Sequence, residues 1–299
     1  MTIIAHPGTP CPPLLGDWTF PTALVIADRD GIVHVEGSVD TDFPFASVTK
    51  PIATYAALIA VDRHMFDLDA PAGPHAPEGA TIRHLMAHAS GLPFERDYVA
   101  QRPERHRVYS NVGIEVMGER FEEETGISIQ EYTDEQVLTP LGLTHLMFDG
   151  SPAYGAHGTV RDLADLIREW LAPTLVSPAL FKEATTPQFP DLDGVLPSYG
   201  RQRPNEWGLG FEIRGHKDPH WTSPLHSPRT FGHFGQAGSF IWVDPDVGLG
   251  AAFLGAEPYG AEHRKKWTDL NGRIYTCAGR HRHGYVGQRP GDMAADRGN

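Results

Sequence analysis

Hydrophobic positions along the chain change period several times, and each change predicts an element. Residues 22–28 (TALVIAD) form a nearly continuous apolar run, followed by the turn signal Arg29–Asp30–Gly31 and then by IVHVEG, which alternates at period two. Together they predict a hairpin of two sheet strands. From Val48 to His64 the apolar residues Ile52, Tyr55, Ala56 and Ile59 recur at helical spacing. Pro51 fits the first turn of that helix, where a missing N–H costs little, although a proline disfavours helical geometry at the preceding Lys50. Ser47 then stands at or beside the helix N-terminus. The segment APAGPHAPEGA (70–80) is a loop, and TIRHLMAHASGLP starts a short helix near Thr81 that Ser90–Gly91 stops. Residues 112–125 carry Ile114, Met117 and Phe121 on one face, with Gly126 closing the helix. A further helix runs from about Thr159, its expected cap, to Leu171, and buries Leu163, Leu166, Ile167 and Trp170.

Strand signals return late, in WGLGFEI (207–213), GSFIWVDP (238–245) and VGLGAAFLG (247–255), with Asp244–Pro245–Asp246 as a turn. A hairpin, a long helical middle and late strands predict an α+β fold: an antiparallel sheet built from both chain ends and flanked by helices, with a mainly helical lobe inserted. We expect one domain over residues 1–277. Its α/β lobe comes from about 1–50 and 200–277 and its helical lobe from about 51–199. No internal repeat interrupts it. Residues 278–299 are polar and Gly-rich, which predicts a loosely ordered tail.

Composition narrows the function. The 299 residues are 40% hydrophobic and carry a net charge of −13. That charge argues against nucleic acid and against an anionic membrane surface as partners. No apolar run reaches the roughly 18 residues of a spanning helix, and the N-terminus lacks the basic region of a secretory signal. The expected location is therefore the cytoplasm, where Cys11 and Cys277 would be two reduced structural thiols.

The stretch FPFASVTKP places Ser47 three residues before Lys50. A serine hydroxyl needs a neighbouring base to act as a nucleophile, and positions three apart share a helix face. A lysine serves as that base when burial or nearby positive charge lowers its pKa. Alone, the motif reads more readily as an N-capping serine beside a solvated lysine, since such caps are common. In VYSNVG, Tyr109 can relay a proton and Asn111 can hold the lysine and a substrate carbonyl, or the segment is an ordinary turn before a helix. In FGHFGQAGSF, Gly235 after His233 and Phe234 would let a substrate approach the backbone, with the Gln236 N–H facing an oxyanion; a Gly-rich bend at a strand start reads the same. His84 and His88 have metal-ligand spacing, but the glutamate of H-E-x-x-H is missing, so structural histidines are expected. The tail's RHRHG is at most an adventitious metal site.

In series, SVTKP, HLMAHASGLP, YSN and HFG resemble the class C β-lactamase-like serine hydrolase family, which takes in penicillin-binding D,D-peptidases, D-aminopeptidases and β-lactamase-like esterases. The connecting phrases DLDAP, ETGISIQEYTDEQVLTPLGLTHLMF, GTVRDLADLIREWL and WGLGFEI extend the likeness over about residues 22–258. The resemblance implies a two-lobe fold with the site in the cleft between lobes. It makes Ser47 the acylated nucleophile, Lys50 the base, Tyr109 the second acid/base and Asn111 the positioning amide. The segment His233–Phe234–Gly235 becomes the cleft-edge strand, and the Ser47 and Gln236 N–H groups the oxyanion hole. It implies no cofactor and no metal.

One departure bears on substrate. In the family's lactamases and peptidases the third motif is lysine, then threonine or serine, then glycine, and the first two grip a carboxylate. His233 and Phe234 stand there instead. The loss of a charge-assisted contact and a hydroxyl bond removes about 2–4 kcal/mol of carboxylate binding. The family's esterases tolerate a histidine at this place. The expected function is a serine hydrolase acting through an acyl-enzyme on a small ester or amide. The alternatives are lactamase or D,D-peptidase/D-aminopeptidase activity, or a non-catalytic binding protein of the same fold. Oligomeric state is not legible from these signals.

Overall fold

Both ends of the chain contribute strands to one sheet. In this computed structural model, which describes residues 11–95 and 100–279, β1 (Thr22–Asp28) and β2 (Gly31–Gly37) form the predicted hairpin. Three short strands, β3 (Phe43–Pro44), β4 (Met147–Phe148) and β5 (Ala156–Gly158), pair separately, as do β6 (Gly194–Leu196) and β7 (Gly200–Gln202). The main sheet is completed by β8 (Glu212–Ile213), β9 (Phe231–Gly235), β10 (Ser239–Asp244) and β11 (Leu249–Gly255). Its order is β2-β1-β11-β10-β9-β8, with every pair antiparallel. The helices are α1 (Thr49–Asp62), α2 (Ile82–Met86), α3 (Asn111–Thr125), α4 (Ile129–Thr133), α5 (Thr139–Leu141), α6 (Val160–Leu171), α7 (Pro178–Ala184) and α8 (Ala261–Gly279).

The central strands read as unbroken apolar runs because the sheet is covered on both faces. Successive side chains go to opposite sides. In β1, Ala23, Val25 and Ala27 join the core that contains α1 and α6, whereas Leu24 and Ile26 join the core that contains α8. In β10, Ile241 and Val243 face the first core, and Phe240 and Trp242 the second. Helix α8 seals that second face through Trp267, Leu270, Ile274 and Ala278. These residues recur at helical spacing in the sequence, in a stretch for which no element was expected. The polar tail expected from residue 278 falls, from 280 onward, outside the described residues.

Several boundaries differ from expectation for local reasons. Helix α1 is preceded by a 3₁₀ turn over Ala46–Val48, and its residues from Thr49 to Ala60 are all buried, so it is a central helix rather than an amphipathic surface one. Thr81 begins α2, and its N–H donates to His84 Nδ1 in a capping box, but the helix ends at Met86, before His88 takes the left-handed φ of 55°. Thr159 precedes α6 without capping it; its hydroxyl donates to Asp162. Of WGLGFEI only Glu212 and Ile213 enter the sheet. The Gly208 N–H donates to Phe211 O and Gly210 turns the chain at φ 83°, which folds the first half back on itself.

Cys11 and Cys277 are joined in a disulfide, which corrects the expectation of two reduced thiols. The pairing depends on α8, which carries Cys277 back to the N-terminal segment. Leu14 and Leu15 share a core with Trp267 and Ile274, and Lys266 donates to Asp17 O at 2.7 Å. Among the described residues no helix is long and apolar enough to cross a membrane.

Candidate active site

Ser47 sits in the middle of the 3₁₀ turn, partly exposed between the buried Phe45 and Val48. Ala46 before it has φ 45°, in the left-handed region that residues with a Cβ rarely occupy, and such strain gathers at functional sites. Three residues on, Lys50 is fully buried. Its Nζ lies 3.1 Å from Ser47 Oγ, 2.7 Å from Asn111 Oδ1 and 2.8 Å from Ala153 O. Burial drives the Lys50 pKa well below its ordinary value, against an opposing pull from the Glu115 carboxylate. A neutral amine has two N–H groups, which Asn111 and Ala153 accept. Its lone pair is then left for the Ser47 hydroxyl proton.

The YSN segment is pinned at its middle residue. The Ser110 N–H donates to His88 Nδ1 at 3.2 Å, and its hydroxyl, donating to Pro93 O, also caps α3 by accepting from the Gly113 N–H. Tyr109 and Asn111 on either side both reach the Ser47–Lys50 pair. Tyr109 lines the same cavity as Ser47, and its ring centroid lies 4.8 Å from Lys50 Nζ. Burial raises the phenol's pKa, so it remains protonated and able to donate.

The end of β9 abuts this turn. A Cβ on Gly235 would lie 2.3 Å from Phe45 O, 2.5 Å from Ser239 Oγ and 3.1 Å from Ser47 N. The close approach that Gly235 permits in this structure is that of the Phe45–Ser47 backbone. Gln236 follows and lines the same cavity of about 50 Å³ as Ser47, with Tyr109, Trp207, His233 and Phe234. His233 is 2% exposed; its Nδ1 donates to Phe234 O at 2.6 Å, and its pKa is pushed down to about 3 by burial, with Lys50 adding to the effect. Phe234 packs among Tyr199, Trp221, Tyr259 and Trp267 on the α8 side.

Of the residues singled out from the sequence, Ser47, Tyr109, His233 and Gln236 line this cavity, Lys50 and Asn111 join it through Ser47, and Gly235 packs against the Ser47 turn. The sequence profile of the Beta-lactamase family matches residues 16–274. The chain belongs to that family. A solved β-lactamase from Mycobacterium bovis is 44% identical with a TM-score of 0.85, covering 88% of this chain and 97% of that one. A simvastatin synthase from Aspergillus terreus shares the fold, with a TM-score of 0.74 at 17% identity over 87% of this chain and 91% of that one. Monacolin J acid methylbutanoyltransferase from Aspergillus terreus is 26% identical over 159 residues, 37% of this chain and 38% of the relative. A protein of Salmonella heidelberg named for D-alanyl-D-alanine carboxypeptidase is 23% identical over 236 residues, 63% of this chain and 55% of the relative. The matches thus span about two fifths and about half of those two curated relatives' lengths.

Membership of the β-lactamase family does not explain every group at the cavity. Glu212 lines it too, and no signal in WGLGFEI marked it as more than a strand residue. Its Oε1 accepts from Lys217 Nζ at 3.0 Å and faces His220 Nε2 at 2.9 Å, while Oε2 accepts from Trp221 Nε1 at 2.8 Å. Burial works against its charge, but Lys217 and His220 hold the carboxyl well below the usual carboxylate range. His84 and His88 do structural work: His84 caps α2 and meets Glu104 at 3.0 Å, and His88 anchors Ser110. Among the described residues no three or more His, Cys, Asp or Glu side chains gather as a metal site. The RHRHG stretch lies outside the described residues.

Proposed function

We propose that this chain is a serine hydrolase that forms an acyl-enzyme on Ser47 from a small ester or amide without a carboxylate beside the scissile bond. The observation that carries this reading is the buried Lys50 amine, held by Asn111 and Ala153 and facing the Ser47 hydroxyl at 3.1 Å. Lys50 takes the Ser47 proton as Oγ bonds to the substrate carbonyl carbon. The oxyanion that forms is met by the Ser47 and Gln236 N–H groups. As the carbonyl carbon's bond to the leaving oxygen or nitrogen breaks, Tyr109 passes its proton to that atom and recovers one from Lys50. Water then attacks the acyl carbon, gives a proton to the same relay, and Ser47 regains its hydrogen.

Substrate preference follows from the far end of the cavity. Where a carboxylate would be gripped stand the neutral His233, the hydrocarbon ring of Phe234 and the ionised Glu212, whereas Lys217 does not line the cavity. A second reading, lactam or D,D-peptide cleavage, is favoured by the 44% identity to a solved β-lactamase.

A fluorophosphonate probe followed by peptide mapping tests the nucleophile. The expected adduct is on Ser47, and Ser47→Ala should lower turnover about 10⁴-fold or more. An adduct elsewhere removes the assignment. A substrate panel tests the preference: kcat/KM for p-nitrophenyl acetate or butyrate should exceed that for a chromogenic cephalosporin by far. Equal or reversed values establish the second reading instead.

A further inference from the structure

Beyond its pull on the Lys50 amine, the Glu115 carboxylate connects to that amine by an unbroken path. Glu115 lies one helical turn after Asn111 on α3, so both project from the same face. The Ser151 hydroxyl donates to Glu115 Oε1 at 3.0 Å and accepts from the Ala153 N–H at 3.2 Å. The carbonyl of the same Ala153 accepts from Lys50 Nζ at 2.8 Å. One helix thus holds Lys50 twice, directly through Asn111 and indirectly through Glu115, Ser151 and the loop before β5.

We propose that Glu115 is a positioning residue for the Ser47–Lys50 pair: through Ser151 it fixes the Ala153 carbonyl that anchors the amine, and its carboxylate imposes a negative field there. This rests on the function proposed above. Among the described residues the titratable groups facing Lys50 and its neighbours include Tyr109, His88, His233 and Glu115, with Glu212 on the cavity wall held by Lys217 and His220. Burial keeps both imidazoles neutral and the phenol protonated, so Glu115 supplies the charge that opposes Lys50's loss of its proton. Without it the amine would be a weaker base; with it, Lys50 keeps more proton affinity than burial alone would leave.

The chain has five lysines, so ¹³C-ε-lysine NMR can follow each titration, with Lys50 assigned by the signal lost in Lys50→Arg. In Glu115→Gln the Lys50 titration should fall by about half a pH unit or more, and the acid limb of kcat/KM on p-nitrophenyl acetate should fall with it. Its plateau kcat should stay within about threefold, because the glutamine carbonyl still accepts from Ser151. Glu115→Ala should show the same fall in titration and lose about tenfold in plateau kcat as well. A Lys50 titration unmoved in Glu115→Gln overturns the proposal, and Glu115→Gln keeps the test open if the alanine variant does not fold. A wild type that forms no acyl-enzyme would overturn the proposed function instead, and the NMR titration would still decide the role of Glu115.

Discussion

Lys50 can act as a base only after losing its proton, and its surroundings set the pH at which that occurs. Because burial lowers its pKa well below the ordinary value, the free amine should be present from a pH far below 10.5, and kcat/KM should rise with pH through that ionisation. The phenol of Tyr109 is shifted the opposite way, so it should remain a proton donor across the neutral and mildly alkaline range. The expected profile on p-nitrophenyl acetate is a single acid limb below the ordinary lysine range, followed by a plateau through the neutral and mildly alkaline range. A fall within that range would mean that Tyr109 ionises early and is not the donor. Lys50→Ala and Tyr109→Phe should each lose most activity while melting like the wild type. The double variant should lose far less than the product of the two single losses, since the groups pass one proton between them.

At the scale of elements, the end of β9 shows why spacing alone located the site without explaining it. SVTK and YSN were legible because their chemistry and helical spacing coincide. Gly235 was legible only as a gap, and the structure fills that gap with Phe45 O, Ser239 Oγ and Ser47 N. Gly235→Ala should therefore push the Gln236 N–H away from the Ser47 N–H and lower kcat by about 10² or more, in keeping with the cost of losing an oxyanion donor. Gly232→Ala, in the same strand as Gly235, is the control, because its Cβ would meet Ile241 O of β10 at 2.1 Å without touching the Ser47 turn. It should depress the melting temperature without a matching loss of kcat per folded molecule. If both substitutions reduce kcat alike, the Gly235 contact has no special part in the site. What stayed illegible has a common cause: none of it leaves a hydrophobic period. The capping of Thr81 by His84, the turn at Gly210 and the bonds of Glu212 to Lys217, His220 and Trp221 are local polar contacts, and Glu115 meets Ser151 across 36 residues. Helix α8 is the exception: Trp267, Leu270 and Ile274 recur at helical spacing in the sequence itself.

For the whole molecule, the open question is what ties the ends together. The sheet draws β1 and β11 side by side, and α8 then runs back across the face where the N-terminal segment lies. The Cys11–Cys277 bond closes a loop of 266 residues, far longer than a hairpin or a helix pair would span. On the chain-entropy argument a loop this long takes more freedom from the unfolded state than a short one, and disulfides of this kind contribute about 2–4 kcal/mol. The bond also bears on location. Two thiols were expected in a reducing cytoplasm, whereas disulfides persist in oxidising compartments. Protein purified without reductant should show no thiol reactive toward Ellman's reagent in denaturant, and two after reduction. Cys11→Ser plus Cys277→Ser should lower the denaturation midpoint while leaving kcat on p-nitrophenyl acetate unchanged, because the bond lies on the α8 side of the sheet, away from Ser47. Two reactive thiols in the unreduced protein would return the pair to structural cysteines and restore the cytoplasmic argument. A loss of kcat in the double variant at full folding would show that the ends reach the site after all.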